Sequence, residues 1–304
     1  KNFVRICFIV SLVAVSACSQ VDERTTVDFS RGISVEKPVS WDSSKVAIRI
    51  AIGAMVSPKE TLYAYQHLVS YLSGKIGRNL EIVQRKTYQE INEMLAQGDV
   101  DLAFICSGPY VTGKEKHGLE LLVAPEINGS HFYNSYLIVN SSGTEKTFND
   151  LRGKTFAFTD PDSNTGRLSP MYMLNEIGET PETFFGSFIY THSHDNSILA
   201  VSKGLVHGAS VDGLIWDYFN KIKPEITSAT RIIAKSEDYG IPPVVVSPGL
   251  DRESRASIKK ALLEMDSDPQ GSSILEKLMI DRFVDAHDSW YDSIRRIIGS
   301  KPSS

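Results

Sequence analysis

The sequence is short of cysteine, of clustered basic charge and of long apolar runs, and each shortage excludes something. Its 304 residues hold three cysteines, Cys7, Cys18 and Cys106. The closest His spacing is His192 and His194, two apart, with rings opposed if the stretch is extended. No Cys or His follows at finger spacing, so no metal site is expected. The 32 Lys and Arg balance 37 Asp and Glu without forming a cluster, which excludes nucleic acid as a partner. Cys106 and His194 have no third orienting group at recognisable spacing, so neither an enzyme nor a cofactor is expected. The one long apolar run, Ile6 to Val15, is too short to span a bilayer as a mature helix.

That run lies between the charged residues Lys1 and Arg5 and the sequence Val15-Ser16-Ala17-Cys18. The pattern resembles a bacterial lipobox, in which the cysteine is lipidated and becomes the first mature residue. Residues 1–18 are therefore expected to be a lipoprotein signal peptide, with Cys18 as the lipidation site. Residues 19–44 are polar and aperiodic, as in a flexible tether. The mature chain is expected to be exported and lipid-anchored on the periplasmic side of a membrane, with Cys106 as its only thiol.

From residue 45 onward the pattern alternates between strands and helices. Val46 to Ile52, Leu80 to Val83, Asp101 to Ile105, Leu119 to Val123 and Tyr136 to Val139 read as strands. Ser57, Pro58 and Glu60 form a helix start, and Thr87 caps a helix that carries Ile91, Met94 and Leu95. A second series has strands at Thr155–Phe158, Ser187–Tyr190, Gly208–Val211 and Arg231–Ala234, then Val244–Val246. Two amphipathic helices follow, near Arg252–Met265 and Trp290–Ile298. The fold expected is α/β, with two βα lobes of mostly parallel sheet joined by two crossover segments. Lobe 1 takes residues 45–136 plus 241–304, and lobe 2 takes 137–240.

Two strand ends stand out. Thr159-Asp160-Pro161-Asp162-Ser163-Asn164-Thr165-Gly166 joins a buried strand to a helix through small hydroxyl and amide side chains, with no lysine. A helix start carries unpaired N–H groups and the positive end of the dipole, and Ser163 and Thr165 add hydroxyls there. By itself this is also how an ordinary capped helix begins. Ser193-His194-Asp195-Asn196-Ser197 follows another strand and opens another helix. Two such starts, one with a histidine, point to one shared oxyanion.

The chain resembles the solute-binding components of phosphonate/phosphite-type ABC transporters over nearly its whole mature length. The likeness rests on Gly98-Asp99-Val100-Asp101-Leu102-Ala103-Phe104, Gly108-Pro109-Tyr110-Val111 and Leu151-Arg152-Gly153-Lys154. It also rests on Asp160 to Gly166 with Pro170, on His194-Asp195-Asn196-Ser197 and on Ile241-Pro242. The resemblance implies a type II periplasmic binding protein, a monomer serving an ABC permease. It assigns Ser163, Asn164 and Thr165 to the oxyanion loop and His194 to the anion, with donation from one ring nitrogen or both. Tyr88 and Tyr133 match aromatics that flank the ligand. Aminoalkylphosphonate binders of the family use two carboxylates, and the corresponding positions align with Leu214 and Val244. The implied ligand is therefore a small oxyanion: phosphite, a small phosphonate or phosphate. Arg167 stands where the family often has an aromatic, either facing the cleft or exposed.

Cys106 closes the strand ending at Ile105, at the ligand end of a βα sheet. It is either a small buried filler or a ligand contact. Some relatives use a cleft cysteine to sense trivalent arsenic, so the alternative is an arsenite-type sensor that signals to a histidine kinase.

Overall fold

The computed structural model describes residues 47–53 and 58–300. The signal-peptide, tether and Cys18 expectations, like Val46 and the Ser57 cap, lie outside the described residues.

β1 (Ile48–Ile52), β2 (Leu80–Val83) and β3 (Leu102–Phe104) form a parallel set with β1 at its centre. β12 (Val244–Val246) is added antiparallel beside β3, followed by β4 (Glu120–Glu126) and β13 (Arg282–Val284). The strand order is β13-β4-β12-β3-β1-β2. Alternate residues supply two cores. Ile48, Ile50, Ile52, Leu102 and Phe104 pack with Leu68 and Leu72 of the helix Pro58–Ile76 on one face. Ala51, Ala103, Ile105 and Val245 pack with Ile91, Leu95 and Tyr110 on the other. A sheet covered by helices on both faces needs near-continuous apolar strands, and these strands have them.

The second sheet contains β6 (Ser135–Asn140), β7 (Thr155–Phe158), β8 (Ser187–Tyr190), β9 (Gly208–Asp212) and β10 (Thr230–Lys235), in the order β10-β6-β9-β7-β8. Phe156 and Phe158 face an aromatic core with Phe184 and Phe185, while Ala157 and Ala209 face Ile198 and Val201. The chain passes twice between the sheets. The two passages pair as a short antiparallel ribbon, β5 (Phe132–Tyr133) against β11 (Tyr239–Gly240).

Both sheets are mixed, which corrects the expectation of mostly parallel sheets. Among the described residues, parallel pairing is confined to β1–β2, β1–β3, β7–β8 and β7–β9. Strands adjoining a crossover enter from the opposite end, so β6 and β12 run antiparallel to their neighbours. The helix Pro269–Leu278, capped by Asp268, and strand β13 were absent from the sequence reading.

Candidate functional site

The loop after β7 is shaped by its own side chains. Asp160 is buried, and its Oδ1 accepts from the Asp162 N–H at 2.8 Å. Ser163 caps the turn Asn164–Leu168, its Oγ accepting from the Gly166 N–H at 3.0 Å. That turn has π-helical geometry and runs directly into the helix Ser169–Glu176. Gly166 is required, because a Cβ there would overlap Thr159 Oγ1. The Thr165 carbonyl is clamped by Ser210 Oγ at 2.7 Å and Ser135 Oγ at 2.9 Å, from β9 and β6. Ser163, Asn164 and Thr165 are fully buried, and Thr165 Oγ1 and Asn164 Oδ1 have no protein partner.

His194 opens the helix His194–Ser202 and is fully buried. Its Nδ1 accepts the Asp212 backbone N–H at 3.0 Å, and its Nε2 lies 3.5 Å from Ser163 Oγ. Burial lowers its pKa to about 3, so the ring is neutral with its proton on Nε2. Donation from both ring nitrogens, one of the two modes left open, is thereby excluded: one nitrogen is occupied as an acceptor. The ring offers one donor, aimed at the Ser163 loop.

Asp212 joins these groups, although the sequence reading set it aside because the family's carboxylate position aligned with Leu214. Asp212 lies two residues before Leu214, at the end of β9. There it caps the helix Gly213–Ile222. Its Oδ1 accepts from the N–H groups of Leu214 at 2.8 Å and Ile215 at 3.4 Å. Its Oδ2 is buried without a partner. Burial first, and then Asp217, push its pKa up to about 7, against the pull of the two capping N–H groups. The signal that could have found it is Asp-Gly directly after a buried strand, an N-cap pattern.

The first sheet supplies the opposing wall. Thr87 and Glu90 form a reciprocal capping box that starts the helix Tyr88–Gln97, leaving Tyr88 at its first position. Tyr88 is buried, its hydroxyl has no partner, and its N–H donates to Asp160 Oδ2 at 3.3 Å across the two sheets. Tyr133 on the ribbon is buried, its hydroxyl accepting from Asn164 Nδ2 at 3.2 Å. Burial keeps both phenols protonated, well above the usual tyrosine range. Cys106 is fully buried just before the helix Ser107–His117 and packs with Tyr88 and Ile215. Burial pushes its thiol up to about 11, against hydrogen bonds from the Asn164 and Gly108 N–H groups and from Tyr133. A Cβ on Gly108 would stand 2.6 Å from the Asp162 carbonyl oxygen, so only glycine lets the two walls meet this closely.

Tyr88, Cys106, Tyr133, Ser163, Asn164, Thr165 and His194 thus come together around one buried point, joined by Asp212. Arg167 does not join them; its Nε donates to Tyr190 OH at 2.8 Å. Among the described residues no His, Cys, Asp and Glu grouping suits a metal ion. The arrangement offers neutral donors and helix starts to an oxyanion, plus one carboxylate oxygen to a donor on that anion.

A sequence profile described as ABC transporter, phosphonate, periplasmic substrate-binding protein matches residues 50–291. The chain is 27% identical over 172 residues to a probable ABC transporter phosphite binding protein of Prochlorococcus marinus, covering 54% of this chain and 57% of that protein. It is 31% identical over 156 residues to a phosphate-import protein of Mycolicibacterium smegmatis, covering 46% and 47%. The match spans about half the length of these curated relatives. The fold is similar to a binding protein component of an ABC phosphonate transporter from Pseudomonas aeruginosa, with TM-score 0.77 and 20% identity over 83% of this chain and 85% of that one. It is also similar to the Prochlorococcus marinus protein PhnD1 solved with methylphosphonate, with TM-score 0.74 and 19% identity over 83% and 96%.

Proposed function

Since the chain belongs to the family of phosphonate periplasmic substrate-binding proteins of ABC transporters, a family of binding proteins and not of enzymes, we propose that it captures a phosphonate-type oxyanion between two lobes. The lobes are those expected, residues 45–136 plus 241–304 and residues 137–240, with the first boundary moved to before Ser135, where β6 of the second sheet begins. Phosphite, a small phosphonate or phosphate is the headgroup that suits the site, and delivery is to an ABC permease. The observation that carries this reading is the set of buried polar atoms without protein partners on facing walls: Tyr88 OH, Thr165 Oγ1 and Asp212 Oδ2. Buried polar groups are costly unless paired, and one tetrahedral anion offers enough oxygens to pair these three together with the His194 Nε2–H.

The mechanism follows from which wall holds which group. The Ser163–Gly166 loop and His194 stay fixed to the second sheet, and the Ser135 and Ser210 hydroxyls hold the loop's backbone in place. The anion's oxygens accept from Thr165, His194 and the loop N–H groups. Tyr88 and Tyr133 then close over it from the first sheet, and the Tyr88 N–H to Asp160 bond joins the walls. One proton lies between the free Asp212 oxygen and an anion oxygen, carried either as the carboxylic acid or as P–OH, and losing it sets two negative groups against each other.

Anchoring through a lipid on Cys18, exposed to the periplasm, belongs to the same reading. Cys18→Ala should move the protein out of the membrane fraction or leave its precursor uncleaved; unchanged fractionation would remove the anchor. Thermal-shift screening against phosphite, methylphosphonate, phosphate, sulfate and arsenite tests the ligand, since a ligand bound only by the native state raises Tm. A shift with the phosphorus oxyanions supports the reading. A shift with arsenite alone, abolished by Cys106→Ser, would replace it with the sensor alternative. The high pKa of the buried thiol argues against that outcome.

A further inference from the structure

Beside the oxyanion point lies a cavity of about 540 Å³ that the headgroup does not need. Asp212, with its unpartnered Oδ2, borders both spaces. Ile215 also belongs to both: it packs on Tyr88 and Cys106 and forms part of the cavity wall. Gly53 lines the cavity, and a Cβ there would stand 3.0 Å from the Tyr88 ring. The cavity therefore shares its boundary with the cradle.

Its buried wall is apolar. Phe104 and Ile105 come from the end of β3, Pro242 and Pro243 from the second crossover, and Ile280 and Phe283 from the segment leading into β13. The charged side chains of the wall other than Asp212 are Asp217, Lys221, Glu276 and Asp281, all exposed at its rim. A phosphite or phosphate ion has no atoms to place in this space. One water's share of liquid volume is about 30 Å³, so the cavity holds many heavy atoms. Pockets of this size and lining take organic groups oriented by a few polar contacts at one end.

We propose that the solute is a phosphonate carrying a bulky apolar substituent, alkyl or aryl, with its headgroup in the cradle and its carbon chain in this cavity. The inference rests on the oxyanion reading of the cradle. An apolar chain fits better than an ammonium-bearing one because the free oxygen of Asp212, the buried carboxylate of the wall, is engaged by the headgroup, while Asp217, Glu276 and Asp281 are exposed at the rim, where an ion pair contributes little.

Calorimetry on the purified chain with methyl-, propyl-, butyl- and phenylphosphonate, 4-aminobutylphosphonate, phosphite and phosphate tests it. Affinity should rise about fourfold per methylene from methyl to butyl, the factor corresponding to about 0.8 kcal/mol per buried CH₂. Phenylphosphonate should rank with butyl. Ile127→Trp and Leu278→Trp, each filling the cavity from a half-buried wall position away from the cradle, should remove the gain for butyl and phenyl while methylphosphonate binds as before. Equal affinity for methyl and butyl, tighter binding of 4-aminobutyl than of butyl, or full butyl affinity in both tryptophan variants would overturn the proposal with the cradle reading intact. If no phosphorus oxyanion binds at any concentration, the cradle reading fails and this inference falls with it.

Discussion

The two walls of the site are built from different chemistry. The wall from the second sheet is made of hydroxyls, an amide and a neutral imidazole on helix starts, and most of these groups are fixed by bonds within that sheet. The wall from the first sheet and its ribbon is made of two phenols and a thiol, and it is linked to the opposite side by Tyr88 N–H to Asp160, Asn164 Nδ2 to Tyr133 and Asn164 N–H to Cys106. The contrast implies a division of labour. For the proposed ligand, the preorganised second-sheet wall is expected to carry most of the affinity, and the first-sheet wall to exclude water on closure.

The largest expected effect breaks closure itself. Gly108→Ala places a Cβ against a backbone carbonyl of the other wall, and overpacking of this kind costs up to about 3 kcal/mol. Affinity should fall by about 100-fold while the ligand-free melting temperature stays near wild type. Equal loss of both would show that Gly108 matters for folding instead of closure.

Next comes the preorganised wall. Thr165→Ala removes one hydroxyl donor to a charged partner, worth about 1–3 kcal/mol, and should weaken methylphosphonate binding by about tenfold or more. Tyr88→Phe on the opposite wall should cost less. Calorimetry that ranks the two the other way would reverse the comparison.

A smaller effect appears in the pH dependence. The Asp212 carboxyl is raised to about 7, so the protonated acid prevails below that pH and the anion meets a donor there. Above it the anion meets a carboxylate. Wild-type affinity should fall as pH rises through about 7, beyond the change due to the ligand's own titration, and Asp212→Asn should flatten the difference. For folding the sign is the same: the native state holds the proton that the unfolded chain has lost, so this residue's contribution to stability is lost as pH rises from about 4 to 7. His194, lowered to about 3, works in the opposite sense at acid pH, where the unfolded chain binds the extra proton, so stability falls as pH drops below about 6.5. Between pH 7 and 9 it stays neutral, and His194→Gln should leave the binding profile there unchanged in shape.

The smallest effect belongs to the thiol. A protonated Cys106 supplies shape and a weak donor, so Cys106→Ser should change affinity by about threefold or less. The thiol should react slowly with maleimide in the closed state, where it is fully buried.

Much of this was legible in the sequence, for definable reasons. Strands such as Thr155–Phe158 are apolar runs ended by turn residues, and the Ser163 and His194 helix starts carry their polar signals locally. The mixed sheets were not legible because strand direction after a crossover is set by tertiary topology, while Val244–Val246 has the same apolar pattern in either direction. The helix Pro269–Leu278 was hidden in a Ser- and Asp-rich stretch that reads as a turn, although Asp268 followed by Pro269 is a helix-start signal. Asp212 was set aside because the family's carboxylate position aligned with Leu214, and only the tertiary structure brings the end of β9 to His194. The cavity depends on residues from seven separate segments and has no linear signature.

The most direct test is titration calorimetry of methylphosphonate into the purified chain and its Ser163→Ala, Thr165→Ala double variant. The account predicts saturable one-to-one binding to the wild type, weakened at least about tenfold in the variant with an unchanged melting temperature. Equal affinity in both proteins, or no binding to the wild type, would contradict it.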